Sequence, residues 1–184
     1  RRIGKSELIK QALKETDIKS IYYECKQTTE RNNVDSLAEL IAEIFDFPKP
    51  AFENIEALLQ FLFKMSEKEP MILVLDEYPY LRENAKGLDS ILQSLIDHYK
   101  DTSNMKFIVC GSYVDTMKAL LEKQNPLYGR IDLTLNLKPM DYYESALFYP
   151  EFTEEDKVRL FSVFGGIPYY NRLIDGQKSV RENI

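Results

Sequence analysis

One segment constrains the fold of this chain more than any other. At residues 70–77 a proline is followed by five consecutive apolar residues and then by Asp76 and Glu77. A short run this apolar is typical of a strand buried on both faces, and such strands belong to parallel sheets covered by helices. The two acids would then lie at the carboxyl edge of the sheet, where open α/β folds bind their ligands.

The sequence around this strand alternates between helical and strand patterns. In chain order the patterns predict a helix at 6–13, a strand at 18–25, helices at 33–45 and 55–66, the strand ending at Asp76, a helix at 88–99, a strand at 106–110, a helix at 113–122 and a strand at 131–137. Helices alternating with strands in this way indicate an α/β fold with right-handed crossovers.

After Pro139 the alternation stops and only helical patterns follow, at 141–149, 154–164 and 169–175. We therefore predict a boundary near Lys138. An α/β core would occupy residues 1–138 and a helical appendage residues 139–184.

Composition excludes several classes of protein. Apolar residues make up 44% of the 184 residues, which excludes a disordered chain, and no apolar run is longer than about six residues, too short to span a bilayer. The net charge of −6 argues against a nucleic-acid track, although a local basic patch remains compatible with it. His98 is the single histidine, which argues against histidine-based zinc sites. Cys25 and Cys110 each end a predicted strand, and two such thiols are expected to be reduced and buried, as in a cytoplasmic protein.

The first chemical motif is Ile3-Gly4-Lys5-Ser6, directly before a predicted helix. In a phosphate loop, the glycine lets the backbone approach the anion, the lysine reaches the outer phosphates, and the hydroxyl binds magnesium. The alternative is a helix cap at Ser6 with a flanking lysine.

The second motif is the acidic pair Asp76 and Glu77. Two adjacent carboxylates at a sheet edge are costly unless a cation relieves them, and magnesium bound to a nucleotide supplies that cation. Asp76 would hold the metal through water, and Glu77 would accept a proton from the attacking water or orient it. Alternatively, Asp76 caps the next helix and Glu77 is solvated.

Two further polar residues follow predicted strand and turn positions. Ser112 follows the strand at 106–110 after Gly111; it would bind the attacking water or the terminal phosphate, or cap the next helix, and both roles could hold. Arg130 ends a turn that begins at Asn125, and its guanidinium would reach phosphate oxygens or form a surface ion pair.

These motifs together resemble the archaeal and bacterial P-loop ATPases of the signal-transduction (STAND) group, within the AAA-related ASCE class. The segments that carry the resemblance are Arg1-Arg2-Ile3-Gly4-Lys5-Ser6, Leu73-Val74-Leu75-Asp76-Glu77-Tyr78, Cys110-Gly111-Ser112, Pro126-Leu127-Tyr128-Gly129-Arg130 and Gly165-Gly166-Ile167-Pro168-Tyr169-Tyr170.

The resemblance implies a role for each matching residue. Gly4, Lys5 and Ser6 would bind phosphate, with Ser6 also on magnesium, and Asp76 and Glu77 would be the Walker B acids. Ser112 would be the sensor, and Gly166-Ile167-Pro168 the G-x-P element of the lid, with Pro168 near the adenine.

This sequence also departs from the family pattern. The first strand of the family and the opening glycine of its phosphate loop are absent, so we expect an N-terminally truncated piece of a longer protein. In the family the missing strand lies inside the sheet. The chain should therefore show a gap between the strand ending at Cys110 and the one beginning at Ile131.

The resulting hypothesis is an ATP-binding and ATP-hydrolysing switch domain of a multidomain STAND-type ATPase in the cytoplasm, with ATP or ADP and Mg²⁺ as cofactors. A protein partner or fused C-terminal domain would receive the signal, and the domain could oligomerise. One alternative is a non-catalytic nucleotide-binding or scaffold domain. Another, disfavoured by the acidic charge, is a motor ATPase acting on nucleic acid.

Overall fold

The computed structural model describes residues 2–184, so Arg1, the first residue of the phosphate-loop motif, lies outside the described part. The chain divides into two compact units. The core unit is Lys10–Thr134, and the terminal unit combines the residues up to Ile9 with Leu135–Ile184.

A three-stranded parallel sheet forms the centre of the core unit. Its strands are β1 (Lys19–Glu24), β2 (Met71–Asp76) and β3 (Met105–Val109), with β2 in the middle. All six residues of β2 are buried, which confirms the prediction from its continuous apolar sequence.

Helices flank this sheet, as the predicted α/β fold class requires. They are α1 (Lys5–Lys14), α2 (Glu30–Phe45), α3 (Ile55–Ser66), α4 (Tyr78–Asn84), α5 (Leu88–Tyr99) and α6 (Val114–Ala119). The predicted bounds of α3 and α5 are confirmed, whereas α6 is shorter than predicted and α4 was not predicted.

The hydrophobic core lies against one face of the sheet. Strand residues of alternate positions, Ile21 and Tyr23 on β1 and Leu73 and Leu75 on β2, belong to it. They pack with the apolar faces of α2, α3 and α5, and α2 contacts both β1 and α3. The residues at the alternate positions of the same strands, such as Tyr22 and Asp76, therefore point to the other face.

Residues 131–137 do not form a strand, so that prediction was wrong. An alternating apolar pattern becomes a strand only where a neighbouring strand offers its N–H and C=O groups. In the described part of the chain no strand pairs with this segment, and β3 is an edge of the sheet. Leu133 and Leu135 are consequently 73% and 68% exposed.

Short helices build the terminal unit after residue 135. They are α7 (Tyr142–Ala146), α8 (Glu154–Phe164), α9 (Pro168–Asn171) and α10 (Val180–Asn183). The predicted bounds of α8 are confirmed, while α7 and α9 are shorter than predicted. Within residues 2–184, none of the helices has the length and apolar character needed to cross a lipid bilayer.

Gly166 is held against the backbone of Met140 in the terminal unit. Its carbonyl accepts a hydrogen bond from the Met140 N–H at 2.8 Å, and a Cβ placed on Gly166 would lie 1.9 Å from the Met140 carbonyl oxygen. The backbones therefore approach so closely that only glycine fits at this position.

We expect Gly166→Ala to lower the free energy of unfolding by about 2 to 3 kcal/mol, because the added methyl group forces the two segments apart. Gly87→Ala is the control, since Gly87 has a φ of +76° but nothing within 4 Å of its added Cβ. Its cost should be about 1 kcal/mol of backbone strain. Urea unfolding measures both, and equal losses would contradict the steric explanation.

Candidate active site

Asp76 ends the central strand, and backbone hydrogen bonds fix this end of β2 to the segments that follow both neighbouring strands. Cys25, directly after β1, donates its N–H to the Asp76 carbonyl at 2.7 Å. Cys110, directly after β3, donates its N–H to the Leu75 carbonyl at 3.1 Å. The residue is 3% exposed. A carboxylate this buried requires donors or a cation nearby.

Three donors of the core unit contact the Asp76 carboxylate. The Tyr22 hydroxyl donates to Oδ2. The Glu77 N–H donates to Oδ1 at 2.9 Å, and the Cys110 thiol donates to the same oxygen at 2.8 Å. These donors supply the hydrogen bonds that so buried a carboxylate requires.

Glu77 adopts a left-handed backbone conformation, with φ 51° and ψ 41°. Its carboxylate receives two hydrogen bonds from one residue: the Ser112 N–H reaches Oε2 at 3.0 Å and the Ser112 hydroxyl reaches Oε1 at 2.6 Å. The fold thus brings together Asp76, Glu77 and Ser112, three of the residues selected from the sequence.

The alternative capping roles for these residues do not match the helices that follow. Glu77, not Asp76, is the N-cap residue of α4, and Tyr113, not Ser112, is the N-cap residue of α6. Neither cap involves a side-chain hydrogen bond. The polar atoms of Asp76 and Ser112 are engaged in the contacts at the carboxyl edge of the sheet.

Cys25 lies next to Asp76 at the carboxyl edge of the sheet. Burial, followed by the nearby charge of Asp76, raises the pKa of the Cys25 thiol to about 12. The thiol therefore stays protonated at neutral pH, and neither Cys25 nor Cys110 forms a disulfide.

The terminal unit holds the phosphate-loop motif. Gly4 has a φ of +89°, a conformation that favours glycine, and its carbonyl accepts the Leu8 N–H at 2.9 Å. Lys5 and Ser6 are the first two residues of α1, a ten-residue helix, so they stand where helix N–H groups and the helix dipole favour anions.

Pro168 belongs to the same surroundings as this loop. A Cβ placed on Gly4 would lie 3.9 Å from Cγ of Pro168, which is the first residue of α9. The phosphate-loop motif at Gly4 and the motif that contains Pro168, far apart in the sequence, thus meet within the terminal unit.

Arg2 contacts the two tyrosines that follow Pro168. Its guanidinium carbon lies 4.4 Å from the centre of the Tyr169 ring, and Nη1 donates to the Tyr170 hydroxyl at 3.4 Å. All three residues lie in motifs that carry the family resemblance, but no contact between them was predicted. This cation–π contact and this hydrogen bond join Arg2 to α9.

Arg130 forms the ion pair that was the alternative to its predicted role. Nε and Nη2 bind the two carboxylate oxygens of Asp97 at 2.7 and 2.6 Å. Nη1 donates to the carbonyls of Pro126 and Tyr128. Hydrogen bonds from Arg130 lower the pKa of the Asp97 carboxyl.

A buried network under α4 was missed entirely by sequence analysis. Asp89, on α5, accepts hydrogen bonds from the Tyr78 hydroxyl at 2.7 Å, from Arg82 Nε at 2.9 Å and from Asn125 Nδ2 at 2.8 Å. Tyr78 directly follows Glu77, so this network fixes the helix that begins at the acidic pair.

Residues 1–173 match the model of a family described as an ATPase domain predominantly from Archaea. The chain belongs to this archaeal ATPase family. The P-loop ATPase part of the sequence resemblance is thereby confirmed.

Curated relatives share only part of their length with the archaeal ATPase domain described here. An uncharacterized protein of Methanocaldococcus jannaschii, MJECL04, is 29% identical over 172 residues, which cover 92% of this chain and 36% of that protein. Protein MGF 360-18R of African swine fever virus is 22% identical over 148 residues, 76% of this chain and 38% of the viral protein. The chain therefore spans little more than a third of these relatives.

Two solved structures have the same fold. The Walker-type ATPase PABY2304 of Pyrococcus abyssi superposes with a TM-score of 0.73 at 20% identity, over all of this chain and 64% of that one. The ORC2 protein of Aeropyrum pernix, in its ADPNP-ADP complexes, superposes with a TM-score of 0.63 at 18% identity, over 99% of this chain and 59% of that one. These similarities show the P-loop ATPase fold.

Proposed function

We propose that this ATPase domain binds and hydrolyses ATP with Mg²⁺ and acts as the switch of a STAND-type protein. The observation that carries the proposal is the arrangement at the carboxyl edge of the sheet. There a buried aspartate is followed by a glutamate whose carboxylate is oriented by both donors of Ser112.

The chain offers oxygen ligands that suit magnesium. Asp76 would supply a carboxylate that hydrogen bonds hold in place, and Ser6 would supply a hydroxyl at the beginning of α1. Mg²⁺ prefers such oxygens and is usually bound by one or two protein side chains together with substrate phosphates. When bound, the ion neutralises negative charge on the phosphates.

Each remaining residue has a role that follows from its chemistry. The N–H groups that begin α1 and the ammonium of Lys5 would bind phosphate oxygens, with Gly4 allowing the close approach. Glu77 would orient the attacking water and accept its proton, while Ser112 keeps the Glu77 carboxylate in one orientation.

The switch itself would depend on groups that report the nucleotide state. Pro168 would lie near the base, and Arg130 would leave Asp97 for a phosphate oxygen, a change between two alternative ion pairs. We propose that the signal passes to a protein partner or a further domain, in the cytoplasm.

Binding of ATP with and without Mg²⁺, measured by isothermal titration calorimetry on the full protein, tests the proposal. We expect Lys5→Ala to weaken binding of Mg-ATP at least tenfold, because a charge-assisted hydrogen bond to phosphate contributes about 1.5 to 3 kcal/mol. Lys14→Ala, in the last turn of the same helix, is the matched control and should change affinity less than twofold.

The proposal fails if the wild-type protein binds no ATP with Mg²⁺, or if Lys5→Ala binds it equally well. Tightly bound ADP that is never turned over would instead identify a non-catalytic nucleotide-binding domain.

A further inference from the structure

Tyr22 reaches the Asp76 carboxylate because of the register between β1 and β2. Tyr22 pairs with Val74, and Glu24 pairs with Asp76, so Tyr22 and Asp76 are diagonal neighbours on one face of the sheet. Diagonal neighbours are about 7 to 8 Å apart, a distance within reach of aromatic and other long side chains. The Tyr22 hydroxyl accordingly donates to Asp76 Oδ2.

Cys110, directly after β3, contacts the same carboxylate from the other side of β2. Leu75 pairs with Val109, so the next residue, Cys110, comes beside Asp76. Its thiol donates to Oδ1 at 2.8 Å. Oδ2 of Asp76 is thus held by a residue of β1, and Oδ1 by Cys110, which directly follows β3, together with the Glu77 N–H.

The Tyr22 ring is itself fixed in the core unit. Nζ of Lys10, on α1, lies 4.9 Å from the ring centre. A cation–π contact of this kind restrains the ring and leaves the hydroxyl directed at Asp76. The phenol is therefore a preorganised donor.

Resting on the proposed function, we propose that Tyr22 is a positioning residue that holds the Asp76 carboxylate in the orientation required to bind the magnesium of the nucleotide complex. The carboxylate torsion of aspartate is soft, so without donors on both oxygens the group samples a broad range of orientations. Residues that orient a metal-binding carboxylate typically change metal affinity 10- to 100-fold when they are removed.

Tyr22→Phe tests this inference, because it deletes the hydroxyl and keeps the ring over which Lys10 lies. The probe is ADP, titrated calorimetrically into the full protein once in excess Mg²⁺ and once in EDTA. The ratio of the two affinities measures the contribution of the metal. We expect Tyr22→Phe to reduce this ratio about tenfold and to leave ADP affinity in EDTA within twofold of the wild type.

Tyr23→Phe is the matched control. Tyr23 lies on the opposite face of the same strand, and its hydroxyl donates to Asn33 Oδ1 at 2.8 Å. This variant also loses one buried hydroxyl and some stability, but its Mg²⁺ ratio should equal that of the wild type.

A second pair of variants addresses the other oxygen. Cys110→Ala removes the thiol donor and should lower the Mg²⁺ ratio, whereas Cys110→Ser keeps a donor and should restore most of it.

An unchanged ratio in Tyr22→Phe, with a clear Mg²⁺ effect in the wild type, overturns the positioning role and leaves the proposed function intact. If the wild type binds no nucleotide, the proposed function and the positioning role fail together.

Discussion

Glu77→Gln is expected to reduce ATP hydrolysis about a hundredfold or more while ATP still binds. An amide cannot accept the proton of the attacking water, and loss of a general base typically costs 10²- to 10⁴-fold in rate. The fold should tolerate the change, because the amide can still accept the Ser112 N–H and can donate to the Ser112 hydroxyl, two contacts that Glu77 makes now.

Single-turnover release of phosphate measures the chemical step, and calorimetry of Mg-ATP measures binding. Glu83→Gln is the control, an exposed glutamate on α4 that should hydrolyse ATP at the wild-type rate. Hydrolysis by Glu77→Gln within threefold of the wild type would assign the base to another group.

The largest expected loss of stability is that of Asp89→Ala, about 3 to 4 kcal/mol. The substitution leaves the Tyr78 hydroxyl, fully buried, without its acceptor, and the half-buried Arg82 guanidinium without its counter-charge. Removing one partner of such a buried pair typically costs 3 to 5 kcal/mol. Asp35→Ala, which breaks an exposed pair with Arg31 on α2, should cost no more than about 0.5 kcal/mol.

The contribution of Asp89 should also depend on pH. Burial raises the pKa of the Asp89 carboxyl, but hydrogen bonds from Arg82, Tyr78 and Asn125 outweigh burial and leave the pKa below its ordinary value of 3.8. The folded protein therefore holds this carboxylate charged more strongly than the unfolded chain does. Its stabilisation is fully present above about pH 4 and is lost as the pH falls through the lowered pKa.

Urea unfolding at several pH values follows both effects. In the wild type the free energy of unfolding should fall between pH 4 and pH 2 more steeply than in Asp89→Ala. Parallel curves for the two proteins would show that Asp89 is not ionised differently in the folded and unfolded states.

The central part of the fold could be predicted because its signals are local. Five apolar residues before Asp76 identify a buried strand, and apolar spacing fixes α3 and α5. The predicted strand at 131–137 was wrong because strand formation depends on a neighbour that no local pattern reveals. Helix α4 was overlooked although Pro79, in its first turn, is a residue that helix starts favour.

In the candidate site, only those residues could be predicted whose own chemistry and position at the end of a strand indicate a role. Acids at the end of a buried strand indicated Asp76 and Glu77, and the small polar residue after β3 indicated Ser112. Tyr22 was read only as a strand former, because its contact with Asp76 depends on the register of two strands separated by two helices. The contact of Asp89 with Tyr78 likewise depends on the packing of α4 and α5.

The backbone of Glu77 has a consequence for the evolution of this domain. A glutamate with φ 51° is strained by about 1 kcal/mol, and glycine or asparagine would occupy the same conformation more comfortably. Selection for thermal endurance alone would therefore replace this residue, and with it the proposed proton acceptor. Keeping a carboxylate at this position for the proposed proton transfer would therefore lower the stability of the domain.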